Sequence, residues 1–470
     1  VRDPRIVDQL TTTADGSVRL RPDTITLPPD TPPPVTGGDD AGAGPVIRVD
    51  PDVRRQPFDG LGAALTDSSA WLLSRLPDST RAAALRALFA TDPDTAADPD
   101  TGTDPDNRAG LSVVRLVIGS SDFARSHYSY DDSPSPDPDL AGFSIDHDRA
   151  YVIPTAREIL AVNPDVQFVA SPWSPPAWMK DSNALAHGSL LPEYEDTYAD
   201  YLVRFLQAYR QEGIDIAKLT VQNEPQFASF TYPGMVMDAS QQARFIADSL
   251  GPALARAGLD AEVLVYDHNW DDPDYPLDVL GHPRVRAFAA GTAFHCYEGD
   301  QASAQDRVHE AHPFLSIWVT ECSGGEWQGS RRRAFFATSD LVIDGLNHWA
   351  NATLLWNLAL DADGGPHTGG CDTCRGVVAV DDRTGTWAPT VDFDVLAHVG
   401  RWAPPGSPAV PTTVSGSTRL DTAALRTDRE RIVLVVANRG PEVAATVQFG
   451  DLRIPVTLAG RSLVTLRWSA

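Results

Sequence analysis

The sequence predicts an α/β protein, a (β/α)₈ TIM barrel with an attached antiparallel β-sandwich. Three observations carry this. Eight apolar, strand-like runs recur between residues 58 and 357, segments of helical periodicity fill the intervals, and after about residue 405 the pattern changes to period two.

The elements follow in order. Residues 1–27 hold two short strand-like pieces around the turn "ADGS"; lacking helix partners, they are expected to complete the sandwich. Residues 28–45, "PPDTPPPVTGGDDAGAGP", read as a Pro/Gly linker. The barrel is assigned to residues 46–404. Its strands are "FDGLGAAL", "LSVVRLVIG", "VQFVASPW", "LTVQNE", "AEVLVYDHN", "GTAFHCY", "LSIWVTE" and "ATLLWN". Between them, "YEDTYADYLVRFLQAYRQEG" sets Tyr194, Tyr198, Tyr201, Leu202, Phe205, Leu206 and Tyr209 on one helical stripe that Gly213 ends. "DASQQARFIADSLGPALARAG" repeats the pattern with Asp238 as its cap, and "RRRAFFATSDLVIDGL" repeats it after the seventh strand. Residues 405–470 carry "RIVLVVANRG", "AATVQFGD", "RIPVTLAG" and "SLVTLRW", the sandwich strands. The insertion at 91–110, rich in spaced aspartates, lacks the glycine-and-glutamate frame of a calcium loop and reads as a solvated acidic loop.

Composition narrows the function. No apolar run is long enough to span a bilayer, and the formal charge is −26, with Lys180 and Lys218 the two lysines. Such a surface repels phosphate backbones and anionic membranes, which excludes nucleic-acid binding and stable membrane insertion and suits a monomer with a neutral substrate. The chain starts at Val1 with no apolar leader, as expected after removal of a signal peptide or trimming. Cys371 and Cys374 form a lone C-x-x-C in a glycine-rich loop. A structural zinc needs a second pair, so a local disulfide in a secreted, extracellular protein is expected. Cys296 and Cys322 are expected to be buried free thiols.

Two strand-like runs end on a glutamate: Glu224 after "LTVQN" and Glu321 after "IWVT". Glutamate is a poor strand residue, and in such a barrel the strand ends open onto the active-site face. A rim salt bridge explains either one alone; both together suggest the carboxylate pair that hydrolyses a glycosidic bond. That chemistry needs no cofactor and no metal. Asn223 stands where its amide can reach a sugar hydroxyl. Trp173, Trp178 and Trp356 stand at loop entrances, where tryptophan stacks on sugar faces or packs the core. His295 and Tyr297, two apart, share one strand face.

In order, "FDGLGAALTDSSA", "VVRLVIGSSDF", "SHYSYDD", "ASPWSPPAWMK", "TVQNEP", "FHCY", "TECSGGEW" and "WNLALDADGGP" resemble the motifs of glycoside hydrolase family 30, which includes glucosylceramidases and microbial endo-β-1,6-glucanases. The resemblance runs from about Val46 to Ala470. It implies a retaining β-glycosidase acting on β-glucosyl linkages, with Glu224 as acid/base and Glu321 as nucleophile. It further implies that Asp122 binds the outer hydroxyls of the −1 sugar, that Trp173, Asn223 and Trp356 also contact that sugar, and that Arg115, His295 and Tyr297 flank the nucleophile. On this reading Glu224 should have a raised pKa, from apolar surroundings and the neighbouring charge, while Arg115 and Tyr297 keep Glu321 ionised. Trp178, Phe227, Phe230, Tyr232, Trp270 and Tyr275 are expected to ring the mouth, which favours a secreted endo-β-1,6-glucanase over a glucosylceramidase-like exo-β-glucosidase. A xylan-cleaving relative fits Asp122 poorly, because a pentose has no C6 hydroxymethyl. A non-catalytic carbohydrate-binding protein fits the paired glutamates poorly.

Overall fold

The eight apolar runs become eight parallel strands, because a sheet covered on both faces needs continuous rather than alternating hydrophobicity. In the computed structural model, which describes residues 6–27, 44–91 and 107–470, they are Gly60–Leu65, Val113–Ile118, Gln167–Pro172, Ile216–Thr220, Glu262–Trp270, Ala289–Gly299, Ser316–Glu321 and Ala350–Leu355. We refer to them as barrel strands one to eight. They pair in chain order, and the eighth closes on the first with Ala352 opposite Gly60. Val113, Val169, Leu264, Ala293, Trp318 and Leu354 fill the interior, so the barrel is a packed core and its chemistry is confined to the strand ends.

The outer helices bury the stripes their periodicity implies. Glu195–Gln211 buries Tyr198, Tyr201, Leu202, Phe205, Leu206 and Tyr209, with Tyr194 half-buried in the turn before it and Gly213 past its end at φ +79°. The Asp238 carboxylate accepts from the Gln241 N–H at 2.7 Å, capping Ala239–Arg244. Ser330 caps Arg331–Asn347 in the same way.

The side domain is built from both ends of the chain. Ile6–Thr13 lies between Arg21–Thr26 and Ser462–Ser469, in a seven-stranded sheet that continues through Arg431–Asn438, Leu420–Arg426, Ser407–Val410 and Pro57–Phe58. A four-stranded sheet runs Thr412–Ser415, Val46–Val49, Val443–Phe449, Leu452–Leu458. Inward residues of both sheets, among them Val7, Ile47, Leu434, Val447, Ile454 and Trp468, form one apolar cluster. This corrects the expected barrel start at residue 46. Ile47 and Val49 alternate inward with the side domain, Pro57–Phe58 pairs with Ser407–Val410, and the barrel begins at Gly60. Most of the linker 28–45 and of the acidic loop 91–110 lies outside the described residues. Among those described, no helix is long and apolar enough to cross a membrane.

Helix Val391–Gly400 joins barrel to side domain. Asp394 is bonded by Arg19 at 2.9 Å and by Arg331 at 2.6 Å. The fully buried His398 ring bridges Thr465 Oγ1 (2.8 Å) and Thr12 Oγ1 (2.9 Å) on neighbouring strands. Burial, helped by Arg401, lowers its pKa from 6.5 to about 3. The imidazole is therefore neutral when folded and titrates normally when unfolded. Its contribution to stability is complete above about pH 6.5 and is lost as pH falls toward 3. His398→Gln should cost about 1–3 kcal/mol at neutral pH and flatten the acid side of the stability profile. Urea unfolding of both proteins across that range checks this, and equal slopes would refute it.

Candidate active site

The C-terminal strand ends converge on a cavity of about 370 Å³ lined by Asp122, Trp173, Asn223, Glu224, Tyr232, Tyr297, Glu321, Ser323, Trp327, Trp356, Gly370, Cys371 and Cys374. Of the ten candidate catalytic and substrate-binding residues, eight line it; His295 and Arg115 lie beneath, each bonded to residues that do.

The floor is a buried charge network. Arg115, on barrel strand two, has no solvent exposure. Its guanidinium makes a close ion pair with Glu321 and donates to Asp267 at 2.9 Å, to Asn223 Oδ1 at 2.8 Å and to Ser171 at 3.1 Å. Asp267 is the residue that sequence reasoning missed. Besides Arg115 it accepts from Ser171 (2.7 Å), Thr220 (2.6 Å), Thr320 (2.6 Å) and His295 (3.1 Å). Burial opposes its charge, but Arg115 and His295 outweigh that and hold the carboxyl far below the usual range. Tyr266 and Asp267 both take positive φ, 74° and 77°, which turns the chain of strand five at this point. The available signal was a lone aspartate inside the apolar run "VLVYDHN".

The glutamates differ in setting. Glu321 is the last residue of strand seven, as expected, and takes the Tyr297 hydroxyl at 2.8 Å as well as Arg115. Glu224 lies beyond the end of strand four, which closes at Thr220, and sits in a loop at φ +47°. A glutamate in that left-handed region costs on the order of 1 kcal/mol or more; its N–H bonded to the Asp267 carbonyl at 2.9 Å holds it there. One oxygen of each carboxylate and a nitrogen of His295 lie within 4.8 Å of one another. His295 faces Asp267 through Nε2 and Glu224 through Nδ1 at 3.4 Å. Burial disfavours its charge, yet Glu321, Asp267 and Glu224 raise its pKa to about 9, so it is an imidazolium donating from both nitrogens. By residue type the trio could ligate a cation, but Arg115 and His295 already supply two positive charges to these carboxylates.

In the free protein the two carboxyls shift in directions other than those expected. Burial raises Glu224, but the hydrogen bond and charge of His295, with His268 and Arg115, bring it below its ordinary value. Burial dominates at Glu321 and leaves it raised despite His295, Arg115 and Tyr297. Asp122, buried and facing both glutamates, is pushed well above the carboxylate range.

The walls divide into packed and open parts. Trp173 and Trp356 stack on each other with centroids 5.0 Å apart, and Arg115 lies 4.8 Å from the Trp173 ring, so each tryptophan offers the cavity only part of its surface. The expected aromatic ring is partial. Trp178, Trp270 and Tyr275 are buried, with Trp178 donating to the Asp131 carbonyl and Tyr275 to that of Met237. Phe227 and Phe230, on the loop after Glu224, are 49% and 81% exposed; Trp327, not singled out from sequence, lines the mouth at 55%. The loop after strand eight closes the Asp122 side. Thr368 N–H donates to the Asp122 carbonyl at 2.7 Å, and Gly370 (φ +70°) approaches so closely that a Cβ would come 2.1 Å from the Asp122 carboxylate. Cys371 and Cys374 are joined by a disulfide in this loop. Cys296 and Cys322 are not free thiols: they too are bonded, because strands six and seven bring their Cα atoms to 5.2 Å.

Residues 58–398 match the model of the glycosyl hydrolase family 30 TIM-barrel domain. An endo-1,6-β-D-glucanase of Neurospora crassa is 32% identical over 415 residues, 85% of this chain and 82% of that protein. The lysosomal acid glucosylceramidase of Mus musculus is 29% identical over 449 residues, 91% and 84% of the two chains. The solved structure of an endo-β1,6-glucanase superposes with a TM-score of 0.87 at 27% identity, covering 99% of both chains.

Asp267→Ala would leave Arg115, His295 and three hydroxyls without their shared acceptor. Stability should fall by about 3–5 kcal/mol, measured by urea unfolding. A loss below 1 kcal/mol would mean that the network does not depend on this carboxylate.

Proposed function

The chain belongs to glycosyl hydrolase family 30, and from that premise we propose that it is a secreted, retaining endo-β-1,6-glucanase with Glu321 as nucleophile and Glu224 as acid/base. The observation that carries this reading is the pair of carboxylates with oxygens within 4.8 Å. Retention uses carboxyl groups about 5–5.5 Å apart, whereas inversion needs roughly 6.5–9.5 Å to admit a water.

Glu321 attacks the anomeric carbon while Glu224 protonates the departing oxygen, giving a glycosyl ester and a free sugar end. Water, deprotonated by Glu224, then attacks the same anomeric carbon, breaking its bond to the Glu321 oxygen and restoring the carboxylate. The first step needs a proton on Glu224. Bound sugar removes water from that carboxylate and favours its neutral form; His295, hydrogen-bonded to it at 3.4 Å, is an adjacent proton source. The second step needs Glu224 as a base. Once Glu321 is esterified its charge is gone, and the cations that lower Glu224 act without that opposition. The same neighbours therefore serve both halves of the cycle.

The substrate follows from the surface. With a net charge of −26 the chain is repelled by anionic bilayers, which disfavours a lipid-linked glucoside at such a surface. Exposed Phe227, Phe230 and Trp327 supply faces on which glucosyl rings stack. The sequence similarity to a fungal endo-1,6-β-D-glucanase supports the same substrate. The similarity to a lysosomal glucosylceramidase favours an exo-acting β-glucosidase as the second reading. Two disulfides, pairing all four cysteines, support an oxidising extracellular compartment.

Glu321→Gln should abolish turnover of every substrate. Glu224→Gln should slow poor leaving groups far more than activated aryl glycosides, and equal losses on both would contradict its role as acid. Incubation with β-1,6-glucan should release oligosaccharides of mixed length. Glucose alone, or no sugar alongside rapid cleavage of glucosylceramide, would overturn the endo-glucanase reading.

A further inference from the structure

Barrel strands six and seven pair with Thr292 opposite Ile317, Ala293 opposite Trp318 and Phe294 opposite Val319; the register then jumps, setting His295 opposite Glu321 and leaving Thr320 as the extra residue. A bulge of this kind disrupts the ladder and bends the strand. Strand seven ends at Glu321, so beyond it the two chains share no backbone ladder. Three successive rungs nevertheless stay in step. The first is His295 with Glu321. The second is the disulfide between Cys296 and Cys322. The third is Tyr297 with Ser323, whose hydroxyls are 3.0 Å apart.

Alternation along the strands puts the first and third rungs toward the cavity and the second away from it. Cys296 and Cys322 accordingly pack against the apolar core outside the barrel. From the third rung Tyr297 reaches back to donate its hydroxyl to Glu321 at 2.8 Å. The Cys322 carbonyl also accepts from the Trp356 N–H at 2.8 Å, so the same bond ties in the end of strand eight.

We propose that the Cys296–Cys322 disulfide is a positioning element for Glu321, holding the third rung in register so that the Tyr297 hydroxyl stays on the carboxylate. This rests on the reading of Glu321 as nucleophile. Strand five holds the other side of strand six, with Gly299 opposite Trp270 and the Tyr297 N–H donating to Asn269 Oδ1 at 3.1 Å. On the strand-seven side, no backbone ladder past the bulge ties Tyr297 to the Glu321 segment. A hydrogen bond to an ionised group keeps it ionised. Its loss moves protonation of Glu321 to higher pH and removes nucleophile at the acid end.

The test is the Cys296→Ala/Cys322→Ala double variant of the full chain, assayed on 4-nitrophenyl β-glucoside. The expected result is a roughly ten- to hundred-fold fall in kcat, little change in KM, and an acid limb displaced to higher pH. Tyr297→Phe should give the same displacement, and combining the changes should add little to either alone. A wild-type acid limb, or losses that simply add, would overturn the proposal. If the double variant does not fold, Cys371→Ala/Cys374→Ala leaves Cys296–Cys322 as the single disulfide. Dithiothreitol then reduces that bond to two thiols as it is itself oxidised to its cyclic disulfide. Activity and pH profile, compared with the same variant unreduced, should change likewise and recover on reoxidation. An unchanged profile with two titrated thiols would overturn it. Residual activity in Glu321→Gln would instead indict the nucleophile assignment, so the two failures are distinguishable.

Discussion

The site depends on one buried ion pair. Arg115 and Asp267 are both fully excluded from solvent and 2.9 Å apart, deep at the end of the barrel. Neither charge is tolerable there alone. Together they create a polar floor in an otherwise apolar interior, and three functional side chains are attached to it: Glu321 and Asn223 through Arg115, His295 through Asp267. The hydroxyls of Ser171, Thr220 and Thr320 fill the remaining acceptor positions from three different strands. A fully satisfied network of this kind is stiff, and stiffness is what keeps two carboxylates at a fixed separation despite their repulsion.

Much of this was legible because the periodicities are strong. All eight barrel strands were visible as runs, and the helix stripes and the cap at Asp238 followed from spacing. The positions of Glu321 and of the tryptophans near the strand ends followed from the rule that barrel ends face the pocket. What was missed has physical causes. Asp267 matters through five partners contributed by five different strands, and sequence spacing carries no information about such convergence. Cys296 and Cys322 are 26 residues apart, and their pairing depends on the register of strands six and seven, which shifts by one at Thr320. Glu224 reads as a strand end because Val221 prolongs the apolar run; the turn that lifts it into a loop is a backbone event at a residue type that rarely makes one. The barrel boundary was set at residue 46, where the Pro/Gly stretch ends, and only the partners of Val46–Val49 show that this strand belongs to the side domain.

The shifts at the two glutamates depart from those read in the sequence for a related reason. Burial alone raises both. His295, hydrogen-bonded to both Glu224 and Asp267, favours the charged form of each glutamate, and its own charge is held by Glu321, by Asp267, the residue hidden from sequence, and by Glu224. Such interdependence is expected when several titrating sites share one small volume.

The pairing of Ile6–Thr13 with Ser462–Ser469 has a consequence for biogenesis. During synthesis the first strand emerges with its central neighbour more than 400 residues away in the chain. The barrel can assemble while the large side sheet still lacks the strand that joins its two parts, because Ile6–Thr13 meets Arg431–Asn438 only through Ser462–Ser469. Closing this sheet joins strands separated by nearly the whole described chain, so it carries a large loop-closure entropy. Until then Ile6–Thr13 presents an open strand edge to other nascent chains. A chain lacking Ser462–Ser469 would keep that edge unpaired and open to edge-to-edge association.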